Sequence, residues 1–85
     1  MNKLEQRAIA MLTTDGWRCA KRGWPDLLMF KGNKLVAIEV KSRTDKVRAE
    51  QLIILKKLAL VMPVFVVREC ADGEFREQRI DPIGS

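Results

Sequence analysis

Asp26, Glu39 and Lys41 are the residues of this chain whose types and spacing point to chemistry. Trp24 to Phe30 and Leu35 to Lys41 both read as strands. Between them lies Lys31-Gly32-Asn33-Lys34, and a Gly-Asn pair flanked by apolar runs marks a two-residue hairpin loop. If Gly32 and Asn33 form the loop, Lys31 pairs with Lys34, Phe30 with Leu35, Leu28 with Ala37 and Asp26 with Glu39. Directly opposite residues have Cβ atoms about 4.5–5.5 Å apart. Lys41 lies two residues past Glu39 and therefore projects from the same face.

Two carboxylates held so close repel each other and destabilise the sheet, and burial would raise one of their pKa values. Such a geometry needs an offsetting cation. Hard oxygen ligands suit Mg²⁺ or Mn²⁺, with water filling the rest of the shell. Lys41 adds a point charge and a proton donor or acceptor beside the metal. This set suits hydrolysis of a phosphodiester, because the metal lowers the pKa of a bound water and neutralises charge on the phosphate. The alternative is an amphipathic strand with solvated carboxylates, which leaves the coincidence of Pro25-Asp26, the hairpin register and Glu39-x-Lys41 unexplained.

At 85 residues, residues 1–85 are expected to form one small domain with one modest core. The apolar fraction of 47% is that of a folded protein. Sixteen Lys and Arg against 11 Asp and Glu give a formal charge of +5, which favours a polyanionic partner. The distribution says more: from Arg18 to Arg48 there are nine basic residues and three acids, whereas the tail after Arg68 is net acidic. Arg18, Lys21, Arg22, Arg43, Lys46 and Arg48 are accordingly the candidates for phosphate contact. Two distant cysteines, Cys19 and Cys70, make no disulfide framework, and without histidine or a C-x-x-C pair zinc is disfavoured. The absence of histidine also removes the usual general base, so hydrolysis must rely on metal, carboxylate or lysine. No signal peptide and no membrane span is read, and a reducing, cytoplasmic setting is expected.

The elements that must position these residues follow from periodicity. A helix is predicted from Asn2 to about Thr14, with Asn2 as N-cap, Glu5 as capping-box acid and Leu4, Ala8, Met11 and Leu12 as the apolar stripe. Asp15-Gly16 stops it, and Trp17 to Ala20 reads as a short strand. A second helix is predicted from about Lys46 to Val61. Its core stripe is read as Val47, Ile54, Leu55, Leu58, Val61 and Met62, with Gln51 inside it. A second apolar group, Ala49, Leu52, Ile53, Ala59 and Leu60, lies roughly opposite, and a helix apolar on two faces packs on two things. Leu52, Ile53 and Leu60 are therefore the expected dimer interface. Val64 to Arg68 reads as a buried strand, Phe75 to Ile80 as a last edge strand, and the final five residues as frayed. The order α-β-β-β-α-β, with that edge strand, predicts an α/β fold with a mixed sheet flanked by helices.

Gly23-Trp24-Pro25-Asp26-Leu27, Ile38-Glu39-Val40-Lys41-Ser42 and Gln51 on the following helix resemble the motifs of the PD-(D/E)XK nuclease superfamily. The chain is most similar to a minimal VRR-NUC (virus-type replication-repair nuclease) domain, the stand-alone form found in phages and bacteria. The resemblance covers about Glu5 to Val67. It implies a restriction-endonuclease-like fold and a metal-dependent DNA endonuclease. Asp26, Glu39 and the backbone carbonyl of Val40 would be metal ligands. Lys41 would orient or activate the attacking water, or stabilise the phosphate. Gln51 would contact the metal water or Lys41, against the alternative of a polar residue bonded to backbone. Glu5 would be the first-helix acid of some family sites, or only a helix cap. Small stand-alone members resemble homodimeric Holliday-junction resolvases, so branched DNA and a second copy are the expected partners.

Two other functions compete. One is a nucleic-acid-binding module on a nuclease fold, which would have no need of two repelling carboxylates. The other is a flap or nonspecific nuclease of the same superfamily; a sequence-reading enzyme usually needs extra elements entering the major groove.

Overall fold

Leu4, Ala8, Met11 and Leu12 recur at helical spacing, and helix α1 runs over Lys3–Thr14 with Ala8 and Leu12 buried. The computed structural model describes residues 3–22 and 26–84, and of Ala20, Lys21 and Arg22 the backbone alone. The expected N-cap Asn2 and the Gly23-Trp24-Pro25 stretch lie outside the described residues. At its other end α1 closes in a Schellman turn: the Trp17 N–H donates to Leu12 O and the Gly16 N–H to Thr13 O. Gly16 takes φ 94°, which only glycine adopts cheaply.

Five strands follow: β1 (Arg18–Arg22), β2 (Leu27–Lys31), β3 (Lys34–Lys41), β4 (Val64–Glu69) and β5 (Phe75–Arg79). Helix α2 (Ala49–Leu58) stands between β3 and β4. The strands form one mixed sheet in sequence order, antiparallel except for β3 and β4, which run parallel. That parallel pair requires a crossover, and α2 provides it. The β2–β3 hairpin has the expected register, with Lys31 opposite Lys34, Phe30 opposite Leu35 and Leu28 opposite Ala37. Gly32 takes φ 59° at the first loop position while Asn33 stays at negative φ, as a type II′ turn requires.

The alternation along β3 sorts its side chains between two cores. Val36, Ile38 and Val40 pack with Ala8, Leu12, Leu27, Met29 and Val67 beneath α1. Ala37 packs with Leu55, Val64, Val66 and Ile80 beneath α2. The sheet is therefore covered on both faces, and Glu39 and Lys41 share the α2 face with Ala37.

Three expectations change. Helix α2 begins at Ala49 rather than Lys46, because residues 42–48 fold into a side-chain-bonded loop. Ile54, expected in the core, is 47% exposed, whereas Leu52, expected at an interface, is half-buried against the second core. Leu55 sets the phase: it is wholly buried, and Leu52 and Leu58 flank it at i−3 and i+3. Among the last five residues, expected to fray, the Ile83 N–H donates to Lys56 O at 3.0 Å, and Ser85 lies outside the described residues.

Candidate active site

Strand β3 is apolar from Leu35 to Val40 except at one position, and that position is Glu39. Its side chain is 2% exposed, the one buried charged residue among those described. Asp26 immediately precedes β2, and the hairpin register extended by one residue places it opposite Glu39, as expected. Its Oδ2 accepts the Val40 N–H at 2.8 Å, which fixes the aspartate at the end of the ladder.

Burial and the neighbouring Asp26 act together on Glu39. Glu39 is pushed up from 4.5 to about 7, first by burial and then by hydrogen bonding to Asp26 and the charge of Asp26, with Lys41 acting in the opposite direction. Glu39 Oε2 is buried and has no hydrogen-bond partner among the described residues. A buried, unpartnered carboxylate oxygen beside a second carboxyl fits a hard divalent cation. Asp26, Glu39 and the Val40 carbonyl would hold it. No group of three or more acidic, sulfur or imidazole side chains gathers among the described residues, so water would complete the shell.

Lys41 ends β3, half-buried, and its Nζ lies 3.4 Å from Gln51 Oε1. The same oxygen accepts the Arg48 backbone N–H at 3.2 Å, closing the first turn of α2. Gln51 thus bonds to backbone and to Lys41 at once. Glu5 sits half-buried in the first turn of α1, on the helix that covers the opposite face. Arg7 of α1 bonds Glu69 and, at 2.8 Å, Gly73 O. That anchors the start of α1 over the end of the sheet where β3 and β4 finish, the end that carries Lys41.

The basic candidates divide. Arg43 and Lys46 are exposed on the loop directly after Lys41, and Arg48 is exposed at the start of α2. Arg18 pairs with Phe30, four residues from Asp26 along the sheet, or about 13 Å at about 3.3 Å per residue. The structure does not bring Arg18 to the site. The side chains of Lys21 and Arg22 lie outside the described residues. A cavity of about 640 Å³, lined by Trp17, Leu35, Val61, Pro63 and Phe65, is at the hairpin end and contains none of the candidate catalytic residues.

One participant was missed from sequence. Arg68 of β4 lies opposite Lys41 in the parallel register. Its Nη1 donates to Ser42 O at 2.9 Å and also to Asp45 O. Within the loop, the Ser42 N–H donates to Asp45 Oδ2 and the Asp45 N–H to Ser42 Oγ, both at 3.3 Å. The Ser42 bonds hold the Asp45 carboxyl below its usual range, with Lys41 and Arg68 adding to the effect. The Ser42-x-x-Asp45 spacing was a local signal for this turn; the pairing of Arg68 with Lys41 required a parallel register that no local pattern encodes.

The model of the VRR-NUC domain matches residues 2–69. No curated protein matches the chain. Among solved structures, the fold is similar to that of Hjc, a Holliday junction resolvase from the archaeal hyperthermophile Archaeoglobus fulgidus. The TM-score is 0.70 at 20% sequence identity, covering 92% of this chain and 70% of that one. No helix among the described residues is long and apolar enough to cross a membrane.

Proposed function

The chain belongs to the VRR-NUC domain family, and from that premise we propose that it is a divalent-metal-dependent endonuclease that cuts branched DNA, acting as a homodimer on four-way junctions. The observation that carries the reading is the orphaned, buried Oε2 of Glu39 opposite Asp26. A protein that only bound nucleic acid would gain nothing from burying a carboxylate against another.

Bound between these carboxyls, Mg²⁺ or Mn²⁺ would acidify a water and neutralise phosphate charge. The chain's own residues do the rest. Asp26 is anchored by the Val40 N–H, which favours its place opposite Glu39. Lys41, steered by Gln51, holds its ammonium at the rim of the pair, where it can bind a phosphate oxygen or hold the attacking water. Arg43 and Lys46 extend the positive charge outward on a loop pinned by Arg68. Dimerisation is supported by Ile53, Ile54, Leu60 and Val61, which are 50%, 47%, 61% and 76% exposed on α2 and the turn after it. Apolar surface of this kind is costly for a small monomer. The similarity of the fold to Hjc, described as a Holliday junction resolvase, supports the choice of junction DNA.

The test is incubation of the purified protein with labelled four-way junction, flap, duplex and single-stranded DNA, in Mg²⁺, Mn²⁺ or EDTA. Paired symmetric nicks in the junction, present with metal and absent in EDTA, are expected. Metal-dependent cleavage of flaps or duplex alone would replace the resolvase with a flap or nonspecific nuclease. Binding without cleavage in either metal would reduce the chain to a binding module.

A further inference from the structure

Strand alternation separates the charges of β4 and β5 by face. Lys41 pairs with Arg68, and Arg68 with Arg76, so the three form one row across β3, β4 and β5 on the face that carries Glu39. The acids of these strands go the other way. Glu69 points toward α1, where it meets Arg7, and Glu77 lies opposite Val67 of the α1-side core. Arg79 also faces that side, with its guanidinium 6.0 Å from the centre of the Phe65 ring. The site face of β4 and β5 therefore carries Val64 and Val66, both buried beneath α2, and beyond them Arg68, Arg76 and Gln78, with no acid among them.

Within the row the three cations are used differently. Lys41 is engaged by Gln51, and Arg68 spends one guanidinium nitrogen on the loop carbonyls of Ser42 and Asp45. Arg76 is exposed and makes no ion pair among the described residues. Two strand spacings of about 4.8 Å make the row about 10 Å long. One strand of a duplex advances about 3.4 Å along the axis per phosphate, so the row is long enough for more than one phosphate.

We propose that Arg76 is a nucleic-acid contact, and that Lys41, Arg68 and Arg76 form a track carrying the phosphate backbone from the scissile bond across the sheet to the β5 edge. The track rests on the nuclease reading and adds a direction to it: one DNA strand leaves the site over β4 and β5, in a segment whose sequence is net acidic.

The experiment measures affinity for a four-way junction against salt concentration, in EDTA so that the DNA stays intact. Arg76→Gln should flatten the log–log slope by about 0.9 and weaken binding about fivefold at 0.15 M salt, the amount expected for one phosphate contact. Arg79→Gln, the same charge change on the opposite face of the same strand, should leave the slope as in the wild type. Gln78→Lys, in the row of Glu39 on the site face, should steepen it. An unchanged slope in either site-face variant, or an equal fall in Arg79→Gln, overturns the track while wild-type binding leaves the nuclease reading in place. A wild-type protein that binds no nucleic acid in EDTA overturns the track, and one that also leaves every DNA substrate uncut in Mg²⁺ and Mn²⁺ overturns both.

Discussion

Replacing Glu39 by glutamine should stabilise the metal-free protein, and increasingly so as pH rises. The folded state holds this carboxyl at about 7 against 4.5 for the free group, mainly because the side chain is buried. Between those values the unfolded chain has released its proton and the folded chain has not. The folded state then binds more protons, so stability falls as pH increases. The contribution is complete below about pH 4.5 and is lost as pH passes through about 7. At about 1.4 kcal/mol per pH unit, the wild type loses about 3 kcal/mol between acid and pH 8. Glutamine is close to an isostere of the protonated acid and has nothing to ionise, so its stability should be flat over this range. In a domain of 85 residues the gap at pH 8 corresponds to a difference in Tm of about 10 °C or more, shrinking toward pH 5. Asp45, whose carboxyl is depressed from 3.8, titrates below this window and does not mask the effect. The assay is thermal unfolding of both proteins in EDTA from pH 5 to 8, repeated with Mg²⁺, which should raise the wild-type Tm at pH 8 far more than that of the variant. A gap that stays constant across the range, or a wild type that gains stability as pH rises, would refute the buried-carboxylate argument.

Asp26→Asn and Lys41→Ala should each lower metal-dependent cleavage by about 10²-fold or more while leaving the circular dichroism spectrum unchanged, since the first would weaken the hold on the metal and the second removes a positive charge at the phosphate, and neither takes away core packing. Gln51→Ala should cost about 1 kcal/mol in denaturant unfolding through loss of the α2 cap, together with a fall in kcat from the freed Lys41. Ile53→Glu should yield a folded monomer by light scattering with little junction cleavage. Leu55→Ala, in a position with no exposed surface, should cost about 2–5 kcal/mol in the same unfolding assay.

The hairpin was legible because two apolar runs, Leu27 to Phe30 and Leu35 to Val40, flank a Gly-Asn pair that suits a two-residue loop, and that loop fixes the register. Once that register is known, Asp26, Glu39 and Lys41 share a face without further assumption. Helix α2 was less legible. Leu52, Ile53, Ile54 and Leu55 are consecutive, and a helix apolar nearly all round has no phase that a wheel can assign. Only contact with Val64, Val66 and Ile80 selects Leu52 and Leu55 and leaves Ile53 and Ile54 outside. The treatment of Leu60 and Val61 as helical also misled, because the helix ends at Leu58 and these residues sit in the turn before Pro63. Charge suffered from the same loss of dimension. Counted along the chain, residues after Arg68 are acidic; sorted by strand face, Glu69 and Glu77 fall on one side and Arg68 and Arg76 on the other.

The shared oxygen of Gln51 ties two timescales together. Helix ends open and close constantly, and the first turn of a ten-residue helix is among the least protected parts of a fold. Here the carbonyl that closes that turn on the Arg48 N–H is also the one that Lys41 reaches for. Each fraying event at the start of α2 therefore releases the lysine, and each ligand that draws Lys41 toward a phosphate tugs on the helix end. Hydrogen exchange at the Arg48 amide becomes a reporter of whether the lysine is in place, readable in a protein that is not turning over.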